Sequence, residues 1–199
     1  MQSNILLKWL LSIIILGIIT FLIFIFFLNL PNKNSYIKPT SPDSNQTLQI
    51  NPEFPVRLKI PIINVDAAIE HVGLTSEGAV DVPKNPINAA WFDVGPRPGE
   101  NGSAVITGHY GRWKNGETSV FDNLYKLKKE DKLYVEDNKG IIITFVVREI
   151  RSYEPDAYAS EVFISSDGKS HLNLITCEGV WDNNFKSYSK RLVVFTDKE

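Results

Sequence analysis

From Asn51 to its last residue the chain is written in short apolar, β-branched segments separated by turn residues, a rhythm that leaves little room for anything but an all-β fold. Val56-Arg57-Leu58-Lys59-Ile60 alternates with period two and stops at Pro61. Val65 to Val72 follows, then a turn region from Gly73 to Gly78, then Ala79-Val80-Asp81-Val82. Pro83, Pro86, Pro96, Pro98, Gly99 and Gly102 break the next stretch into loops around Ala89-Ala90-Trp91-Phe92. Ser103 to Thr107 leads as a strand into Gly108-His109. Lys132 to Val135, Gly140 to Ile150, Leu172 to Cys177 and Arg191 to Thr196 bring the expectation to about eight strands. Such a series predicts a closed barrel or a sandwich rather than alternating βαβ units. Val120, Phe121, Leu124 and Leu127 have helical spacing, with Asp122 near the start, and predict a short helix of about two turns. No glycine cluster lies between a strand and a long helix, which excludes a phosphate-cradling loop.

Ahead of this region, Trp9 to Leu28 is twenty residues without a charge, extended by Ile5, Leu6, Leu7 and Leu30. As a helix that length reaches roughly 30 Å, the thickness of a bilayer's hydrocarbon core. A cleaved signal peptide would want a shorter apolar core and small residues at its cleavage site, and Phe26-Phe27-Leu28-Asn29-Leu30-Pro31 offers neither. The expected organisation is therefore a short tail (1–4), a transmembrane signal anchor (5–30), a flexible Pro-, Ser- and Asn-rich stalk (31–50) and a folded domain (51–199). Lys8 lies on one side of the span and Lys33 and Lys38 on the other, so positive charge does not set the orientation. A formal net charge of −2 gives no basic footprint, and no nucleic-acid partner is expected.

Cys177 is the only cysteine, which rules out an internal disulfide framework and a thiolate zinc cluster. A lone cysteine is most often a small buried hydrophobe. Here it closes the apolar run Leu172-Asn173-Leu174-Ile175-Thr176, and a thiol at the tip of a buried strand has the rigidity a nucleophile needs. Three histidines compete as its base. His171 shares a face of the same strand but stands six residues away, roughly 20 Å in a regular strand, and is expected at the surface after Ser166-Asp167-Gly168. His71 precedes Gly73 and is expected to face solvent, which leaves His109 at the end of a strand in a loop-flanked position. A guanidinium at a strand end beside the thiol can stabilise an oxyanion, and Arg191 opens the last strand. Spacing alone does not eliminate Arg112, Arg148 or Arg151.

Taken in order, Leu58-Lys59-Ile60-Pro61, Val72-Gly73-Leu74, Pro98-Gly99-Glu100-Asn101-Gly102-Ser103-Ala104-Val105, Thr107-Gly108-His109, Phe121-Asp122-Asn123-Leu124, Leu174-Ile175-Thr176-Cys177 and Arg191 resemble the sortases. These are membrane-anchored cysteine transpeptidases of mainly Gram-positive bacteria. The resemblance covers roughly residues 54–197. The short region before the first strand and the lack of a C-terminal membrane segment look more like the class D, E or F groups than the pilin-assembling class.

The resemblance implies an eight-stranded sortase-type β-barrel with short helices, in which Cys177, His109 and Arg191 meet at one end. It implies an extracytoplasmic enzyme that cleaves a Leu-Pro-x-Thr-Gly-like sorting signal, holds the acyl group on Cys177 and passes it to a cell-wall amine of the lipid II kind. Arg191 would hold the oxyanion and His109 would protonate the leaving amine. The long loop from Tyr153 to His171 stands where relatives bind the sorting peptide, and Thr176 and Glu178 are candidate substrate contacts, although a threonine suits a strand in any case. Trp91, Trp113 and Trp181 are large apolar surfaces near these loops or packing residues. Calcium-dependent relatives carry acidic clusters before the cysteine strand. Here Glu154, Asp156, Glu161 and Asp167 are scattered, and neither metal nor cofactor is expected. An L,D-transpeptidase would need arginine two residues after the cysteine, where this chain has Gly179. The alternative of another class is a membrane-tethered β-barrel binding module with a non-catalytic buried cysteine.

Overall fold

The computed structural model describes residues 53–113 and 116–199. The expected anchor (5–30) and stalk (31–50) lie outside the described residues. Eight strands close a barrel: β1 (Pro55–Ile60), β2 (Val65–Val72), β3 (Ala89–Phe92), β4 (Gly102–Gly108), β5 (Lys132–Asp137), β6 (Ile142–Tyr153), β7 (Ser170–Asp182) and β8 (Ser187–Lys198). Around the barrel the order is β1-β2-β3-β4-β7-β8-β6-β5, with β5 returning to β1. The β2–β3 and β4–β7 pairs are parallel and the others antiparallel. The sequence expectation of an eight-stranded β-barrel holds.

One member of the eight is not the strand the sequence suggested. Ala79–Val82 contributes only a single bridge, Val80 to Leu74, and the Asp81 N–H donates back to the Gly73 carbonyl. Its place is taken by Ala89–Phe92, read as loop because no alternation shows in Ala-Ala-Trp-Phe. Ala89, Ala90 and Trp91 are all buried, and the strand pairs with β2 on one edge and β4 on the other. A strand covered on both faces loses its period-two pattern.

The helix expected over Val120–Leu127 is a turn followed by one 3₁₀ turn, Leu124–Lys126. Its four apolar residues are buried, as the spacing required. The N–H of Val120 donates to the Pro86 carbonyl and that of Phe121 to the His109 carbonyl. Tertiary acceptors thus take the first two donors of this segment and local turn carbonyls take those of Asp122, Leu124, Lys126 and Leu127, so it caps the barrel as a shaped loop.

The core divides in two. Leu58, Ile60, Ile106, Phe121, Leu133, Phe145, Leu172, Leu174 and Val194 fill the barrel interior. A smaller cluster of Val105, Val162, Val193 and Phe195 lies on the outer face, with Tyr153, Ala159 and Ile175 packed against it. The connection from β6 to β7 covers that outer face through the 3₁₀ turn Ser160–Val162, and Asn173 Nδ2 donates to the Val162 carbonyl at 2.6 Å. Strand β4 and the first half of β7, Ser170 to Thr176, are therefore buried on both sides, which is why Ser103–Thr107 and Leu172–Thr176 read as nearly continuous apolar runs.

Candidate active site

Strand β7 does not end at Cys177. It runs on to Asp182, and β8 begins at Ser187 rather than at Arg191, so the stretch between the two expected strands is largely a hairpin. Cys177 stands directly opposite Arg191, and Glu178 opposite Lys190. The register then shifts, so that Gly179 and Val180 together face Ser189, a β-bulge immediately beyond the thiol. Gly179 makes the bulge with φ of 85°, and a Cβ there would lie 2.3 Å from Ser189 Oγ. Ser189 Oγ accepts the Val180 N–H at 3.1 Å, which fixes the bulge.

The Arg191 guanidinium is oriented from its own strand. Nη1 donates to the carbonyls of Tyr188 and Lys190, and Nη2 to Ser187 Oγ, each at 3.0 Å. Among the described residues it pairs with no carboxylate, so its charge is left for whatever enters beside it. Its competitors are engaged elsewhere: Arg148 pairs with Asp197, and Arg151 with Glu149 and Glu161. Arg112 is exposed and lines the same hairpin-side cavity as Cys177 and His109. Cys177 is half-buried, and burial pushes its thiol above the ordinary thiol range while the Arg191 charge works against that rise.

His109 reaches the same place by strand register. The parallel β4–β7 pair runs to Thr107 opposite Ile175, and two residues further on His109 and Cys177 leave together at one end of the barrel. His109 Nε2 donates to the Pro83 carbonyl at 2.7 Å, and since a carbonyl only accepts, that nitrogen carries the proton. The ring also packs on Trp113, with centroids 5.0 Å apart. Gly108 leaves no room for a side chain, because a Cβ there would meet Phe121 at 2.4 Å and Val120 at 2.7 Å. Asp122 accepts the N–H groups of Gly111 and Ser119, and Ser119 Oγ donates to the Gly111 carbonyl. The Phe-Asp-Asn-Leu segment thus supports His109 from below with Phe121 and clasps the loop after it with Asp122. The sequence marked this segment without revealing either task.

The other histidines lie apart from the thiol. His71 is exposed, as expected, and packs edge-on against Trp91. His171, expected at the surface, is instead buried at 3% exposure. Its Nδ1 lies 2.7 Å from Asp197 and its Nε2 3.0 Å from Asp167. Both ring nitrogens find carboxylates, and that pairing offsets the desolvation of a polar ring. The cluster anchors the base of the β6–β7 connection to β8.

Two cavities flank Cys177 and Arg191. One, of about 270 Å³, is largely apolar and runs beneath the β6–β7 connection, lined by Val80, Ala157, Val162, Ile175 and Val193. The other, of about 670 Å³, opens on the hairpin side and holds His109, Tyr110, Trp113, Trp181 and Tyr188. Cys177 and Arg191 line both. Trp91 is by contrast a core residue, its Nε1 donating to the Pro96 carbonyl. Tyr110 and Tyr188, which stack edge to face in the second cavity, had no signal in the sequence. Thr176 is buried, and its Oγ1 donates to the Gly108 carbonyl at 2.8 Å, tying the cysteine strand to the residue before His109. Glu178 accepts from Ser152 Oγ on β6. No group of three metal-ligating side chains occurs among the described residues.

A closed barrel that gathers a thiol, a guanidinium and an imidazole around one opening has the architecture of a barrel transpeptidase. Residues 58–199 match the family model for the Sortase domain, and the chain belongs to that family. Similar solved structures include sortase C-1 of Actinomyces oris, 25% identical with TM-score 0.58, covering 82% of this chain and 85% of that one. Another is Streptococcus agalactiae sortase C1 in complex with MTSET, 26% identical with TM-score 0.57, covering 72% of this chain and 68% of that one. Sortase A of Corynebacterium diphtheriae, a lid mutant, shares the fold at 23% identity and TM-score 0.57, covering 76% of this chain and 73% of that one. Nearly equal likeness to C and A structures assigns the family and not a class within it. No curated protein matches the sequence.

Proposed function

We propose that this chain is an extracytoplasmic cysteine transpeptidase that cleaves a Leu-Pro-x-Thr-Gly-like sorting signal of surface proteins and transfers the acyl group to a cell-wall amine of the lipid II kind. The apolar segment 5–30 tethers it to the membrane, the stalk 31–50 spaces it outward, and residues 51–199 carry the chemistry. One observation supports this most: Cys177 and Arg191 are opposed in the sheet and share a solvent-open cavity with His109.

The sorting peptide lies in the apolar cavity, its leucine and proline against Val162, Ile175 and Val193, with Thr176 in the wall beside the scissile residue. Glu178, bonded to Ser152 on β6, contacts it only from outside that cavity. His109 Nδ1 takes the thiol proton of Cys177, and the thiolate attacks the threonine carbonyl carbon. The charge that forms on the oxygen meets the Arg191 guanidinium and a backbone N–H beside Cys177, donors already in place before reaction. The carbon–nitrogen bond breaks as His109 Nδ1 passes the proton taken from Cys177 to the departing amine, leaving a thioester on sulfur. An acceptor amine entering from the hairpin side then attacks the thioester. His109 takes the amine's proton, and the thiolate leaves. A thiol suits this task because sulfur is strongly nucleophilic and its ester stays reactive toward an amine.

The test is mass spectrometry of the purified domain with a library of Leu-Pro-x-Thr-x peptides. An acyl adduct on Cys177, absent in Cys177→Ala, is expected. A wild-type domain that forms no adduct with any member, while a small methanethiosulfonate also fails to label it, would return the cysteine to a structural role.

A further inference from the structure

The imidazole of a nucleophile–base pair ordinarily needs a third group that fixes its ring and its proton. The first neighbour of His109 on that side is uncharged, the Pro83 carbonyl at 2.7 Å from Nε2. That carbonyl is half of a peptide unit whose other half is the Lys84 N–H. A trans peptide is planar, with its C=O and N–H pointing in opposite directions. The Lys84 N–H donates to Glu70 Oε2 at 2.9 Å. One line of hydrogen bonds therefore runs from the His109 ring, through a single peptide plane, to a carboxylate on β2. The chain contains no cis peptide among the described residues, so nothing bends the line.

Glu70 is built to hold that plane. Its Oε1 also accepts from the Asn85 N–H at 3.2 Å and from Asn88 Nδ2 at 2.9 Å, so one carboxylate gathers three donors from the connection between β2 and β3. Burial of the group opposes its ionisation, but the Lys84 N–H, the Asn88 amide and the Asn85 N–H outweigh it, and Glu70 titrates below the usual glutamate range. No lysine or arginine side chain forms a salt bridge with it among the described residues, and the more distant Lys84 charge adds to the pull of these donors. Hydrogen bonds in series polarise one another, and a carboxylate on the N–H makes the carbonyl at the far end a stronger acceptor.

We infer that Glu70 is a positioning residue for His109, acting through the Pro83–Lys84 peptide as the carboxylate of a catalytic triad acts by direct contact. It fixes the proton on Nε2, aims Nδ1 for exchange, and steadies the ring during the steps in which it gives and regains a proton. The inference rests on the acid–base role proposed above for His109.

The experiment compares wild type, Glu70→Gln, Glu70→Ala and His109→Ala in peptide cleavage, with proton NMR of the imidazole N–H and thermal unfolding of each. Glu70→Ala is expected to lose about tenfold to a hundredfold in kcat, the scale of a misplaced catalytic group, with the peptide KM within about twofold. The hydrogen-bonded Nε2–H resonance of His109 should move or broaden. Glu70→Gln keeps the shape without the charge and should fall between wild type and Glu70→Ala, so that a poorly folded alanine variant still leaves a reading. A Glu70→Gln protein with wild-type kcat and an unmoved Nε2–H signal overturns the inference while leaving the function standing. Full activity in His109→Ala overturns both.

Discussion

Gly108 offers the sharpest test of how closely the site is fitted to the barrel. A methyl group at this position meets Phe121 Cδ2 at 2.4 Å, Phe121 Cε2 at 2.6 Å and Val120 Cγ1 at 2.7 Å. Carbon atoms rest at about 3.5–4.0 Å, so each contact overlaps by roughly 1 Å. Phe121 is fully buried, with the barrel core around it, and has no free space to retreat into. Overpacking of this kind costs about 1–3 kcal/mol, which in a domain of this size lowers Tm by roughly 2–12 °C. The catalytic loss should exceed what the stability loss implies. His109 is the next residue and its carbonyl is bonded to the Phe121 N–H, so strain at Gly108 moves the imidazole first. A shift near 1 Å costs about a hundredfold in rate. Thermal unfolding and initial rates of sorting-peptide cleavage read the two effects separately. Phe121→Leu, destabilising alone, should restore part of both losses in the Gly108→Ala background, a coupling expected of residues in contact. Gly108→Ala with wild-type Tm and rate, or losses that simply add with those of Phe121→Leu, would refute the fit described for this corner.

Arg191→Lys keeps the charge but loses the fork that reaches Tyr188, Lys190 and Ser187, so cleavage should drop at least tenfold, and wild-type rates would remove the guanidinium from the mechanism. Because burial holds the Cys177 thiol above its ordinary range, alkylation should rise with pH to a midpoint above about 8.5, and Arg191→Met should move it higher still; a midpoint below the ordinary value would contradict this. Asp167 is held well below the usual carboxylate range by the Lys169 N–H first, then by His171 and Ser165. A carboxyl depressed in the folded state contributes stability that is present above about pH 4 and lost as acid protonates it. Asp167→Asn should accordingly melt below wild type at neutral pH, with the gap closing on acidification; a gap independent of pH would refute the pairing with His171. Deleting residues 1–50 should yield a soluble, active domain, and an insoluble product in a gel-filtration assay would move the boundary.

The barrel was legible because β1, β2, β5 and β6 each present one face to the core and alternate accordingly. Where both faces are covered the pattern fails in a predictable direction. Ala89–Phe92 hid as a loop, and Ala79–Val82, with better alternation, passed for a strand although Pro83 follows it and only one bridge forms. Spacing over Val120–Leu127 reported burial correctly and conformation wrongly, since apolar residues at helical intervals can equally cap a barrel end when tertiary carbonyls take the first N–H groups and i−3 turn bonds take the rest. At the site, His109 was readable from its position just past the end of β4 and Cys177 as the single cysteine closing an apolar run, although β7 continues beyond it, and Arg191 needed family likeness to rise above three other arginines. His171 could not be placed from its own neighbourhood, because one of the two carboxylates that make its burial tolerable, Asp197, lies on another strand. Glu70 stayed invisible for the same reason: its partners lie fourteen to eighteen residues on and are mostly backbone.

The parallel pairing of β4 with β7 sets when this molecule becomes reactive. His109 and Cys177 meet only after β5, β6 and the covering connection have been made, for these elements lie between the two strands in the chain. Contacts spanning so much sequence are slow to form. A chain still collapsing therefore carries a bare thiol with no imidazole beside it and no shaped groove until the cylinder shuts.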